Sequence, residues 1–413
     1  MKKILSLYIA WSIFQFASAQ ENSLLLKSEG DAKASITSTN FIALQSSGFT
    51  NELIKKFYFG GLIENDIISN STQKLSSKNT IGENLSLSLE YRTKLKQKNE
   101  NFAKRWLGGI RSQQILIGEY SSDAFRFFFQ GNKNFEDKTM NLAPNNLLGL
   151  EWKTVYLGTE MVKGNSEFGI QLGLNLGNQL YDISIPEGQL YTAKDVIELN
   201  GKIKLNAFTN SSTTYDYFAV NGYGLNGGAY YSKILNQGKT KITIGIQDLG
   251  FIKWNKNISE KTIDSNFVWR GVAIENIFDS IKADINGISD LENTWIHEKE
   301  NATPTTLVPT RIYIQYRSLL TSKIELQSSL QYTISKVNSA YINTGINYQP
   351  SSKWIIGFNA GYGNYGKFHA GINTSIYISK NLLIEYFGNS LATEFLAKNS
   401  AYFNHGLKVR FSL

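Results

Sequence analysis

Hydrophobic and polar residues alternate along most of this chain. In the stretch KIELQSSLQYTISK, residues 323–336, Ile324, Leu326, Leu330, Tyr332 and Ile334 hold the even positions, and Lys323, Glu325, Gln327, Gln331 and Thr333 the odd ones. The same period returns where Leu85, Leu87, Leu89 and Tyr91 interleave with Ser86, Ser88, Glu90 and Arg92, and again through Ile170, Leu172, Leu174 and Leu176. Towards the end it runs through Trp354, Ile356, Phe358 and Ala360, through Phe368 to Ile378, and through Leu407, Val409, Phe411 and Leu413. A period of two marks strands with one apolar and one polar face.

Two architectures use such strands. In a soluble sandwich the apolar face is the core and strands average about 5 to 6 residues. In a membrane barrel the apolar face meets lipid, the polar face meets the lumen, and strands run about 9 to 11 residues. The rows here are of the longer kind, and the connections from Ser379 to Asn381 and from Gln349 to Lys353 are tight. Gly, Asn, Ser, Thr and Gln fill the polar rows, which suits a hydrated interior. The pattern predicts an all-β fold, a transmembrane antiparallel up-and-down β-barrel of about 14 strands within a range of about 12 to 16.

The N-terminal part reads differently. MKKILSLYIAWSIFQFASAQ has two lysines, an apolar run and an Ala17-Ser18-Ala19 motif, the layout of a cleaved secretory signal peptide. Residues 49–76 predict two short helices separated by Gly60-Gly61, with Thr50 or Asn51 as the first cap and Asn65 near the second; a strand through Phe57, Phe59 and Ile63 is the competing reading. The expected organisation is a signal peptide over 1–19, a periplasmic or luminal segment, helical or plug-like, over 20–80, and the barrel over 81–413. Residues 121–132 and 276–302 are expected to be loop helices.

Composition narrows the chemistry. The chain has 413 residues and no cysteine, which rules out disulfides, thiolate metal sites and a cysteine nucleophile. A net charge of +8 on an exported chain points to anionic lipid and lipopolysaccharide rather than nucleic acid. Tyr348, Trp354, Tyr362, Tyr386 and Tyr402 stand near strand ends, where aromatic belts sit or where ordinary sheet packing would place them.

Several short motifs occur in order: Gly60-Gly61-Leu62-Ile63 with Asn79 and Gly82, Gly131-Asn132 with Phe135, Gly222-Tyr223-Gly224-Leu225 with Gly228, Asp248-Leu249-Gly250-Phe251-Ile252 with Trp254, and Leu307-Val308-Pro309. Together they resemble the uncharacterised outer-membrane β-barrel proteins of Bacteroidota, similar in architecture to the long-chain fatty-acid transporter barrels. Two positions depart from that pattern: Asn226 stands where an acidic residue is expected, and the chain ends in Leu413 rather than an aromatic residue. The resemblance carries no catalytic residues over.

Other candidate chemistry is thin. Gly222–Gly227 and Gly361–Gly366 match GxGxxG, but each is followed by strand-like sequence instead of the helix that would meet a pyrophosphate. His297, His369 and His405 are far apart, and no HExxH or GxSxG motif is present. Asp248 interrupts the apolar row of Ile242, Ile244 and Ile246, so it is expected in a wet place, facing the lumen after a bulge or lying at the membrane boundary. Asp248, Trp254, Asn226, Gly60 and Gly61 are the candidate luminal or interface positions; no catalytic, cofactor or metal residues are assigned. The expected function is a non-enzymatic outer-membrane transporter or channel for small, apolar molecules. The alternatives are an accessory or scaffold subunit of a larger outer-membrane assembly, with other outer-membrane proteins as partners, and an outer-membrane hydrolase.

Overall fold

The computed structural model describes residues 24–25, 33–93, 96–99, 102–194, 198–210, 215–269, 296–388 and 398–413. The expected signal peptide and most of the stretch 276–302 lie outside the described residues. Twenty strands are numbered in chain order, and fourteen of them close a wall. These are β1 (Ala34–Thr50), β2 (Lys78–Thr93), β4 (Phe102–Ser121), β6 (Asn145–Lys163), β7 (Ser166–Thr192), β9 (Gly222–Leu235) and β10 (Thr240–Trp254), then β14 (Thr310–Leu319), β15 (Ile324–Ile334), β16 (Ser339–Ser351), β17 (Trp354–Gly363), β18 (Phe368–Tyr377), β19 (Leu382–Gly388) and β20 (Ser400–Ser412). Each pairs antiparallel with the next, and β20 pairs back onto β1, with Ser412 beside Ser35 and Tyr402 beside Gln45. Closure removes the free edges that an open sheet would present to other chains.

Alternation decides which way each strand faces. Leu157, Leu172 and Phe358 point outward and are 74%, 68% and 66% exposed, in long outer rows that include Ile110, Val155 and Leu174. Such a band is unfavourable in water and favourable against hydrocarbon, which is how transmembrane barrels are built. Among the described residues no helix is long and apolar enough to cross a membrane. In β15 the polar intruder on the outer row, Ser328, is satisfied by the Thr344 hydroxyl at 2.8 Å.

The two rims differ. At the rim carrying the chain ends, β6–β7, β9–β10, β14–β15, β16–β17 and β18–β19 are joined by two to four residues. The opposite, distal rim carries the longer connections. There α1 (Asn51–Phe59) and α2 (Asn65–Thr72) join β1 to β2, and α3 (Ser122–Gln130) with β5 (Lys138–Asn141) joins β4 to β6. Thr50 caps α1 by accepting from the Leu53 N–H, and Gly60 at φ +79 ends it. The sheet also extends past the distal rim: β8 (Leu199–Asn210) pairs with the far part of β7, and β11 (Ile258–Trp269) pairs with β8. β12 (His297–Lys299) adds to β11, and β13 (Thr305–Val308) to the end of β10. The short β3 (Lys96–Asn99) pairs with β4 at the opposite rim.

The expected segment boundaries shift. Ala34–Thr50 is a stave of the wall, paired along its length with β2 and β20, so the barrel begins at Ala34 rather than at residue 81. The helices are present between residues 51 and 72, but they do not plug the lumen. Ile54 packs on Leu44, while Leu53, Ile67 and Phe125 cluster with Tyr120. Leu44 lies on the outer row of Ile36 and Ile42, and Tyr120 on that of Trp106 and Ile110, so the helices sit on the outer shoulder of the distal rim.

Candidate functional site

The inward rows enclose a cavity of about 470 Å³ in the half of the lumen near the chain ends. Its wall is charged. On one side Arg92 of β2 holds Glu90 at 2.5 Å and Glu160 of β6 at 2.9 Å, and Arg105 of β4 reaches the other oxygen of Glu160 at 3.1 Å. The Tyr156 hydroxyl donates to Glu90 at 3.1 Å. Next to them Glu167 of β7 accepts from Lys241 at 3.2 Å and from the Tyr230 hydroxyl at 2.8 Å. Lys408 and Arg410 of β20 line the opposite flank, with Lys408 paired to Glu385 at 2.8 Å.

A strut crosses the lumen above this cavity. Asp248 Oδ1 accepts from Arg111 of β4 at 2.7 Å, and Oδ2 from Arg311 of β14 at 2.8 Å. Its backbone has φ +59, and the pairing of β10 with β9 shifts between Ile246 and Leu249. That bulge turns both Gln247 and Asp248 inward and reverses the parity of the remainder of β10. Leu249 and Phe251 therefore face out, while Ile252 and Trp254 face in, fully buried.

Beyond the strut, the side of the lumen lined by β4, β6, β7 and β10 is apolar. Ile252 and Trp254 meet Ile115, Ile117, Leu148, Leu150, Trp152 and Leu180 in one buried cluster. Leu180 joins it through a second bulge, where the register between β6 and β7 shifts at Glu151 and Trp152. Trp254 keeps its indole N–H paired to the Thr306 hydroxyl at 3.1 Å, and a Cβ on Gly177 would stand 2.8 Å from its ring. Two distal turns close over the cluster. Lys336 bonds Asp182 and the Ile183 carbonyl on β7, which brings Val337 into the cluster. Tyr365 crosses to Gly82 of β2, where any Cβ would lie 2.1 Å from its ring, and its hydroxyl donates to the Val337 carbonyl at 3.1 Å.

On the other side of the lumen, amides replace charges. Asn373 donates to Asn347 at 2.8 Å and Asn347 to Glu325 at 2.7 Å, while Arg317 pairs with Glu325 at 3.2 Å. The Leu24 N–H also donates to Glu325, and Leu25 is buried against Ile355 and Leu383. A short piece of chain ahead of the first strand thus occupies the lumen near the chain ends.

Of the sequence candidates, Asp248 and Trp254 face the lumen and bracket the boundary between its charged and apolar parts. Asn226 faces the lumen from the adjacent strand β9, opposite Gly173 and Gly250. Gly60 and Gly61 are exposed between α1 and α2 on the outer shoulder, away from the lumen. Tyr402 belongs to no aromatic belt: it is buried in the lumen, its ring centre 4.0 Å from that of His369, on which Tyr341 also stacks at 5.3 Å. Tyr348, Trp354 and Tyr362 are exposed on the outer face near strand ends. Among the described residues no group of three or more His, Cys, Asp or Glu could hold a metal ion. Arg105, Arg111, Arg311, Glu160 and Glu167 are the functional-site residues that sequence reasoning misses. Glu90 and Arg92 two apart in one polar row are their only local signal.

Comparison with solved structures finds chains similar in path but remote in sequence. The toluene transporter TbuX of Ralstonia pickettii is 9% identical, with 92% of this chain and 90% of that one covered and a TM-score of 0.46. The P. putida toluene transporter TodX is 8% identical, with 97% and 95% covered and a TM-score of 0.45. No curated protein matches the sequence. A family model matches residues 26–384, and the chain therefore belongs to the Family of unknown function (DUF5723).

Proposed function

We propose that the protein is a non-enzymatic outer-membrane channel whose route is the barrel lumen, held closed at rest and built for small polar solutes. The observation that carries this reading is the charged cavity of about 470 Å³ enclosed by the wall and roofed by the buried cluster around Trp254. An apolar cargo, the expectation from the sequence resemblance, fits poorly: it would have to strip water from a wall lined by Arg92, Arg105, Arg111 and Arg311 and their carboxylates and offer these groups no polar contact in return. The short turns at the rim of the chain ends support a periplasmic position for that rim, with the helices α1 to α3 outside. Opening then means withdrawing Val337 and Tyr365 from the mouth.

Liposome swelling tests this. Proteoliposomes of the full chain in an impermeant osmolyte are diluted into small neutral and charged solutes. Slow swelling that accelerates severalfold in the Val337→Ser, Tyr365→Ser double variant supports a closed polar channel. Swelling that stays at the empty-liposome rate in the folded double variant contradicts it.

One feature favours a second reading, a subunit of a larger outer-membrane assembly. Phe59, Leu62 and Phe128 are 75%, 75% and 76% exposed on the helical shoulder, where a neighbouring barrel could cover them. Purification from native membranes in mild detergent separates the two, since a subunit brings stoichiometric partners and a free-standing channel runs alone.

A further inference from the structure

We infer that the luminal cavity is a binding site for a small hydroxylated organic anion, a sugar acid or a sugar phosphate; the inference takes the lumen of the channel reading as its site. The first ground is charge. Seven cationic side chains line the cavity: Arg92, Arg105, Arg111, Lys241, Arg311, Lys408 and Arg410. Among the described residues they face five carboxylates, three in the lining (Glu90, Glu160, Glu167) and two bonded from just behind it (Asp248, Glu385), so this wall is richer in positive than in negative charge. Two of the acids are shared, Glu160 between Arg92 and Arg105 and Asp248 between Arg111 and Arg311. A cavity within low-dielectric walls focuses such an excess instead of dissipating it.

The second ground is independent of charge. Gln113, 5% exposed, and Asn84 line the same cavity on the adjacent strands β4 and β2, and their side-chain oxygens accept no hydrogen bond from the protein. Buried acceptors of this kind are met by donors, from water or from a ligand. Gln113 lies two residues along the inward row of β4 from Arg111, so donor-seeking oxygens and guanidinium groups share one wall. A molecule with hydroxyl donors at one end and an anionic group at the other satisfies both. The volume is in the range of ordinary small-molecule sites.

Isothermal titration of the detergent-purified full chain tests the inference, with gluconate and glucose 6-phosphate as the anionic probes and glucose and acetate as the partial ones. At least one anionic probe is expected to bind about tenfold tighter than either partial probe, and the tighter of the two identifies the acidic group. Gln171→Glu with Gln247→Glu adds two carboxylates to the lining and lowers its positive charge with little change of shape. It is expected to weaken the anionic probe about tenfold and leave glucose unchanged. Should the double variant fail to fold, Arg410→Gln serves in its place, with a smaller loss in the same direction. Equal binding of glucose and the anions, or no response to either variant, overturns the inference. Anion binding without faster liposome swelling would instead count against the channel, and swelling without anion preference would count against the site alone.

Discussion

Asp248 combines a left-handed backbone, full burial and two arginine partners, each of which needs the others. The conformation costs on the order of 1–3 kcal/mol for a residue other than glycine, and it persists because it aims the carboxylate at Arg111 and Arg311. Asp248→Asn removes the charge that both guanidinium groups share. We expect a loss on the order of 3 kcal/mol, read as a lower midpoint for heat-induced unfolding in detergent; an unchanged midpoint would show that luminal water screens the pair fully. Tyr365 and Gly82 give a second prediction. Gly82→Ala forces the ring out of the mouth, so the variant should swell liposomes like Tyr365→Ala, and combining both should add nothing. The sequence exposed Asp248 as a misfit in an apolar row, but not its partners: Arg111 is 137 residues away and meets it across the lumen, and Arg311 is 63 residues away on the neighbouring strand β14.

At the scale of strands, alternation was legible wherever the outer row is uniformly apolar. β1 escaped because Ser38 and Asn40 interrupt its outer row and separate Ile36 from Ile42 and Leu44. The bulges at Asp248 and at Asn178 of β7 escaped because a parity change looks like the end of one strand and the start of another. The helices were visible through their caps and glycines, but their side of the wall was not, since it depends on Leu44 and Tyr120 in separate strands. Parity itself is testable on adjacent residues. Leu172→Arg places a cation against hydrocarbon and should destabilise the folded barrel by about 2–4 kcal/mol, whereas Gln171→Arg on the luminal side should cost far less. Refolding into lipid vesicles followed by urea titration compares the two, and equal losses would contradict the assigned faces.

For the whole molecule, the lumen has two closures of different kinds. Near the chain ends Leu24 and Leu25 rest against Glu325, Gln349, Ile355 and Leu383. At the distal side the cluster around Trp254 is closed by Val337 and Tyr365, which tie opposite staves together through Asp182 and Gly82. The two closures lie in series along one lumen. Removing residues 20–32 should raise current only in the variant whose distal closure is already open. The most direct measurement is single-channel current in planar bilayers, comparing the full chain with the Val337→Ser, Tyr365→Ser variant. Rare, brief openings in the full chain and a steady, ohmic current in the variant are expected; a variant that inserts, folds and stays silent at every voltage would contradict a conducting lumen.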